Sequence, residues 1–512
     1  MALPPTSEIQ SGCPSAARSG GFIQTLRNAA ASRWRTLNPV VTGSIVLSTG
    51  TILGGAAITL SAPIITRLYG PSNYGMLAVY ASLLALATPL ASLSYEMAIP
   101  IEKEDGTAAN LAAVSLAIAF LIAGAVAFFS IGPVDLIPKL TKTPGLRPYL
   151  LFLPIAFAFT AVYQVLNSWA LRTHAFARIA RTRATQSIGS ATVQLSVGAV
   201  TGSPWGLFAG DLVGRAGGTG VLFKHALRTW PSGSVSVDGV KYALRRYARF
   251  PLFASWAAVL TMAGTQLPVL MLSRYFGLEI AGWYALTSRV LGTPNSLVGQ
   301  TLGQAFLARA ARLGKQEHNL RELTEATTGW VFLAGLPLFT FITLEGPRLF
   351  ATLFGPRWAV SGTYAQRLAP LAFIWFVASP ISSLLNIREW QRATLAFSLA
   401  ECAVTLLALY AGLWRHSPEF GITLLGIGMF VLTAINMELG FRAGYTSWMR
   451  LVKLMAPLFA CAAFASTAVF LAIQSSTIGA LTSRFLLFSA LYFLLVWMCR
   501  LYPSASWKSC AA

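Results

Sequence analysis

The chain has 512 residues, of which 55% are hydrophobic and only 11% charged. Soluble proteins carry about 25% charged residues, so a soluble multidomain enzyme is excluded, and so is a disordered chain, which needs low hydrophobicity. The net charge of +21 would suggest nucleic acid in a soluble protein, but basic residues in short loops are also what orients membrane helices, and with a mean hydropathy of +0.62 that reading is taken here.

Residues 1–21 are rich in Pro, Ser and Gly, lack the apolar stretch of a signal peptide, and read as a disordered cytoplasmic tail. Residues 22–38 carry Arg27, Arg33 and Arg35 among spaced apolar residues and read as an amphipathic lead-in on the membrane face. Apolar runs near the ~20 residues that cross a bilayer then follow one another. They predict an all-α, polytopic membrane protein with about fourteen helices, at 43–65, 75–99, 108–131, 148–170, 185–201, 204–223, 251–273, 281–306, 327–345, 364–386, 394–414, 421–440, 453–473 and 480–501. The fifth and sixth are separated only by Thr201-Gly202-Ser203-Pro204, so twelve or thirteen is also open.

Loop charges set the orientation. With the N-terminus inside, the inner loops hold Arg172, Arg178, Arg181 and Arg183, then Arg228, Lys241, Arg245, Arg246 and Arg249, then Arg309, Arg312, Lys315 and Arg321. The outer loops hold far fewer, among them Arg67, Arg274, Arg348 and Arg357. Both termini are therefore expected in the cytoplasm. The inner loop 101–107 (IEKEDGT) is acidic, but acidic residues count little for orientation. All loops are short, so function must sit in the bundle or at its faces.

A repeat is visible. Arg67, Gly70 and Gly75 match Arg274, Gly277 and Gly282 as R-x-x-G-x4-G. Each copy follows a span containing a Pro and precedes a helix with a Thr-Pro pair, Thr88-Pro89 or Thr293-Pro294. Six spans separate the copies, so both halves enter the membrane alike, as in parallel-repeat secondary transporters. The expected domains are a six-helix bundle at 39–224, a cytoplasmic linker at 225–249, a second six-helix bundle at 250–445, and two added helices with a short tail at 446–512. The two pseudo-symmetric bundles are expected to surround a central cavity.

Charged side chains at bilayer depth cost several kcal/mol and mark function by default. Asp211 and Arg215 lie one turn apart on the sixth span and can pair. Arg289 shares the eighth span with Asn295, Gln300 and Gln304, and no local partner is evident. Glu401 lies in the eleventh span; Glu96 and Arg367 sit near the ends of the second and tenth. Glycines at helical spacing (Gly50 and Gly54; Gly210, Gly214 and Gly218; Gly299 and Gly303) predict close helix packing. The five cysteines and four histidines show no metal-ligand spacing, no P-loop or hydrolase motif occurs, and neither a metal, a cofactor, nucleic-acid binding nor an enzymatic activity is expected.

Residues 43–99, above all the R-L-x-G-P-x-x-Y-G turn at Arg67–Gly75, resemble the opening of the polysaccharide flippases, the O-antigen and exopolysaccharide repeat-unit translocases of the multidrug/oligosaccharidyl-lipid/polysaccharide exporter superfamily. Phe250-Pro251, Leu267-Pro268, Gly282-Trp283-Tyr284, Arg289-Val290, Pro294 and Gly303 add to the resemblance, as does Leu353-Phe354-Gly355-Pro356-Arg357-Trp358. It covers most of residues 40–445, while fourteen spans exceed the twelve common among O-antigen flippases. The resemblance implies two bundles forming a V around a cavity, often cationic. It implies flipping of undecaprenyl-diphosphate-linked oligosaccharide across the bacterial inner membrane for lipopolysaccharide or exopolysaccharide synthesis, with polysaccharide polymerase and export proteins as candidate partners. Arg289 and Arg215, with Arg367, would then serve the diphosphate end of the substrate, because Arg forms forked bonds to phosphate. Asn295, Gln300 and Gln304 would bind sugar hydroxyls, and Asp211 or Glu401 would couple an ion. The competing readings are a cation-coupled multidrug exporter of the same superfamily, which would want an acidic cavity, a membrane glycosyltransferase, polymerase or ligase, and a membrane component of a polymerase or export complex.

Overall fold

In hydrocarbon every backbone N–H and C=O must be paired within the chain, so apolar runs of this length coil into helices. A computed structural model describes residues 39–132, 136–231, 233–313, 316–387, 391–472 and 478–498. The tail and lead-in expected at 1–38 lie outside the described residues. Among the described residues the regular structure is helical throughout, and nine helices are long and apolar enough to cross a bilayer.

The first half contains α1 (Pro39–Leu68), α2 (Pro71–Ala87), α3 (Asp105–Ile131), the short α4 (Leu136–Thr141), α5 (Phe152–Arg172), α6 (Phe176–Thr201), α7 (Trp205–Ala216) and α8 (Thr219–Thr229). The linker helix α9 (Val237–Arg246) leads to the second half. That half contains α10 (Ser255–Phe276), α11 (Leu278–Pro294), α12 (Gln300–Leu313), α13 (Glu317–Phe354), α14 (Ala359–Ile387), α15 (Gln391–Trp414) and α16 (Pro418–Ala443). Two more helices, α17 (Trp448–Ala472) and α18 (Ile478–Met498), follow. Among the described residues each of the fourteen predicted spans overlaps helix, but four are polar or broken; the span at 75–99 leaves α2 at Ala87 and continues through turns. The span expected at 185–201 belongs to α6, which begins with three arginines. The span at 204–223 divides between α7 and α8 at Gly218, whose φ of +75° suits glycine and where a Cβ would meet the Thr182 side chain at 2.6 Å. The span at 281–306 runs through a π-helical turn, Asn295–Gly299, between α11 and α12.

The halves use the same pairing scheme. Within the first, α1 packs on α6, α6 on α7, α3 on α5 and α5 on α7; within the second, α10 packs on α15, α15 on α16, α13 on α14 and α14 on α16. The two Thr-Pro pairs break their helices in the same way. Thr88 Oγ1 donates to the Leu84 carbonyl (2.7 Å) and Thr293 Oγ1 to the Arg289 carbonyl (2.8 Å). The proline that follows has no N–H, so the α-helical ladder loses a rung. In the first half 3-10 turns follow, at Thr88–Leu90 and Tyr95–Ala98; in the second half the π-turn follows.

The halves meet through α2 against α10 and α11. The repeated glycines make this crossing possible. A Cβ on Gly75 would lie 1.9 Å from the Leu278 carbonyl oxygen, and one on Gly282 would lie 2.0 Å from that of Pro71. The repeated arginines reach across reciprocally. Arg67 donates to the Thr352 carbonyl at the end of α13 (3.0 Å), and Arg274 donates to the Lys139 (3.3 Å) and Leu140 carbonyls of α4. Trp358 Nε1 donates to the Thr66 carbonyl (2.9 Å), and its ring lies edge-on to Tyr74. This end of the molecule, the turn face, is thus tightly closed.

The opposite end, the linker face, explains the acidic loop. Glu102 is 3% exposed. It accepts from Tyr247 Oη (2.7 Å) and from the backbone N–H groups of Lys103 (2.7 Å) and Glu104 (3.1 Å), and pairs with Arg246 (3.7 Å). Burial alone would raise its pKa, but those donors and Arg246 hold its carboxyl below the usual carboxylate range. Arg172 ties the same loop through Asp105 (2.7 Å) and the carbonyls of Ile99, Glu102 and Lys103. Asn110 holds the entry to α9, donating to the Ser234 carbonyl and accepting from the Ser236 N–H. The linker is therefore strapped to the α2–α3 loop.

Candidate functional site

Glu401 and Asn295 come together. Glu401 sits midway along α15; Asn295 opens the π-turn, where a widened helical turn re-aims its side chain. Both line a cavity of about 310 Å³ within the second half, with Thr265 and Gln266 of α10, Ser288 of α11 and Trp375 of α14. Among the described residues, Asn295 Oδ1 is buried with no hydrogen-bond partner, and Glu401 makes no ion pair. Gln266 Oε1 accepts from Ser82 Oγ of α2 (3.0 Å), so one wall of the cavity is tied to the other half.

Arg289 lies on the cross-half seam. Its Nη1 donates to Tyr74 Oη (2.9 Å), the tyrosine of the Arg67–Gly75 turn, and its side chain is exposed in the isolated chain. Arg215 does not join it. Arg215 forks onto Asp211 within α7 (2.7 and 3.2 Å) and reaches Thr160 of α5 (3.3 Å), so this pair belongs to the interior of the first half. Arg367 pairs with Glu419 at the start of α16 (2.5 Å); its neighbour Leu368 lines the Glu401 cavity, but Arg367 itself does not. The side chains of Gln300 and Gln304 lie outside those described.

Two features escaped the sequence reading. Arg183, counted there among loop charges, lies two turns inside α6 and lines a second crevice, of about 300 Å³, between the halves. Its Nη1 donates to Thr51 Oγ1 of α1 (2.7 Å). The second feature is an ion pair between Glu345 of α13 and Arg484 of α18 (2.5 Å), with side chains 4% and 5% exposed. A cavity of about 410 Å³ among Phe332, Phe373, Val377, Met437, Met455 and Phe459 lies where α17 meets α13, α14 and α16, and its lining is almost wholly apolar.

The family model described as "Polysaccharide biosynthesis protein" matches residues 64–362. The chain is similar to the lipopolysaccharide biosynthesis protein WzxC of Escherichia coli (strain K12), 21% identical over 402 residues that cover 77% of this chain and 78% of that protein. It is also similar to the succinoglycan biosynthesis transport protein ExoT of Rhizobium meliloti (strain 1021), 25% identical over 343 residues, 64% of each chain. Among solved structures, the lipid II flippase MurJ in an inward closed conformation superposes with a TM-score of 0.69 at 13% identity, covering 89% of this chain and 98% of that one. An inward-facing multidrug resistance MATE family transporter of the MOP superfamily gives 0.52 at 14% identity, covering 81% and 95%. These structures share the fold. The helical bundle, the repeat and the match over residues 64–362 together make this chain a multi-pass membrane member of the polysaccharide biosynthesis protein family, with the fold of the MurJ and MATE structures.

Proposed function

We propose that this protein flips undecaprenyl-diphosphate-linked oligosaccharide repeat units from the cytoplasmic to the periplasmic leaflet of the bacterial inner membrane, by alternating access. The linker face, with both termini, is cytoplasmic in this reading and the turn face periplasmic. The rigid bodies are the bundles 39–224 and 250–445. The observation that carries the reading is the asymmetry of the seam: like-built halves are clasped at the turn face, while toward the linker face a crevice lined by polar side chains opens between them.

The chemistry of the substrate matches these spaces. Its head is sugar and diphosphate; its tail is isoprenoid. Arg289 offers forked hydrogen bonds to diphosphate from a position that bridges the halves, so binding there would report to both. Arg215 and Arg367 are held by Asp211 and Glu419 and would serve phosphate only by exchanging partners. Asn295, with Gln300 and Gln304, would take sugar hydroxyls. The apolar cavity beside α17 suits an isoprenoid tail. Glu401 is a better coupling group than Asp211, which is already committed to Arg215. Outward movement of an anion is also favoured by an inside-negative potential, by about 2.3 kcal/mol per charge per 100 mV. The released repeat unit is the substrate class that polymerase and export proteins consume, which makes them the natural partners.

The test is complementation in a strain lacking its own flippase. Arg289→Ala should abolish surface polysaccharide while the protein still inserts at wild-type level. Full complementation would remove Arg289 from the site.

A further inference from the structure

We propose that Arg183 forms a receiving site for the diphosphate of the lipid carrier at the cytoplasmic mouth of the seam, ahead of Arg289. The assignment rests on the flippase reading above and names a residue that reading does not use. The crevice around Arg183 is built from three elements of both halves: Thr51 of α1, Arg183, Gln186 and Ser187 of α6, and Ser296 of the π-turn after α11. Its space of about 300 Å³ is open. Among the described residues no carboxylate comes within ion-pair distance of Arg183, which donates to the Thr51 hydroxyl. Arg215 and Arg484, by contrast, are held by Asp211 and Glu345, and Arg289 meets a tyrosine across the seam. A half-buried guanidinium among hydroxyls and an amide, with no acid, is a charge arranged for an anion that arrives from outside.

Position supports the order of events. Arg183 lies two turns inside the linker-face end of α6, which is about 10 Å at 1.5 Å per residue. A phosphate held there has left the headgroup plane and entered the protein, while its isoprenoid tail still reaches lipid. The α1–α6 packing that frames the site is close, since a Cβ on Gly54 would lie 2.7 Å from Ser187 Oγ. The opposite wall is the π-turn, and there Leu297 touches Gly55 across the seam. An anion bridging Arg183 and Ser296 would therefore draw the π-turn toward α1 and α6, so loading the site favours closing the mouth behind the substrate.

The experiment uses the full chain in detergent and follows thermal stabilisation on titration with farnesyl diphosphate, a short isoprenoid diphosphate, with farnesol and phosphatidylglycerol as comparison ligands. Farnesyl diphosphate should stabilise the wild type. Arg183→Gln should weaken its apparent affinity about tenfold or more, the scale of one hydrogen bond to a charged group, and leave farnesol unaffected. Arg183→Lys should fall between the two. Ser296→Leu, an exposed position on the other wall, should weaken farnesyl diphosphate in the same direction and provides the reading if Arg183→Gln does not fold. Wild-type affinity in both Arg183→Gln and Ser296→Leu would overturn the site while leaving the flippase reading standing. Equal, Arg183-dependent stabilisation by phosphatidylglycerol would overturn the carrier as its ligand. A wild-type protein indifferent to farnesyl diphosphate would overturn the flippase reading, and this site with it.

Discussion

In the first half of the molecule, the half-buried Asp211 and Arg215 close on one face of α7 and are completed by Thr160. In the second half, Glu401 faces a cavity whose mainly apolar lining carries a few polar groups, among them Gln266, Ser288 and Asn295, and it makes no ion pair among the described residues. The helix-pairing scheme is common to both, so the arrangement of the helices does not cause this difference. It arises from side chains and from the breaks at the Thr-Pro pairs, which give 3-10 turns after α2 and a π-turn after α11. Duplication has thus supplied one scaffold twice, and the halves have diverged in how they treat a carboxylate inside a helix: Asp211 is paired in α7, while Glu401 faces a cavity in α15.

Several substitutions sharpen that contrast. The largest effect on stability is expected at Glu345→Ala, which leaves Arg484 buried without its acid; about 3–5 kcal/mol should be lost, read as a fall in melting temperature, and Glu345→Leu with Arg484→Met should recover most of it. Next, Gly75→Leu and Gly282→Leu should each cost about 1–3 kcal/mol by overpacking, and by similar amounts, because the two glycines face the same crossing from opposite halves. Unequal costs would break the symmetry of the seam. Asp211→Asn should destabilise by about 1.5–3 kcal/mol through lost charged hydrogen bonds, while Glu401→Gln should change the melting temperature little and alter the pH or ion dependence of transport instead. A melting-temperature loss in Glu401→Gln equal to that in Asp211→Asn would erase the distinction between the halves. The smallest effect concerns Glu102. Its folded-state pKa is lowered, so its stabilisation is complete above the ordinary value of 4.5 and fades as pH falls through the lowered value. Glu102→Gln should remove that acid-side loss, measured as the pH dependence of proteolysis within residues 225–249.

What the sequence showed plainly was what one strand of text can carry. Span lengths follow from hydropathy. The Arg67–Gly75 and Arg274–Gly282 turns follow from self-similarity, and their glycines proved to touch. The Thr-Pro pairs marked both helix breaks, although 281–306 read as one uninterrupted span because a π-turn leaves the apolar pattern intact. Partners distant in sequence were not legible. Glu345 and Arg484 are 139 residues apart and neither sits in a recurring pattern. Tyr74 was in the quoted turn, yet nothing one-dimensional ties it to Arg289. Arg183 was masked by its neighbours, since Arg178 and Arg181 make the start of α6 look like a loop. Asp211 and Arg215 were legible as a pair because helical spacing alone brings them together.

The central claim is that the seam between the halves carries a lipid-linked, diphosphate-bearing sugar across the membrane. Its most direct test is translocation in proteoliposomes containing the purified full chain and a polyprenyl-diphosphate oligosaccharide loaded in one leaflet, followed by the sugar's accessibility to a membrane-impermeant lectin on the other side. The account predicts protein-dependent appearance of lectin-accessible sugar, lost in Arg289→Ala at unchanged protein content. Sugar that stays inaccessible with the wild-type chain, under an imposed membrane potential and proton or sodium gradients, would contradict it.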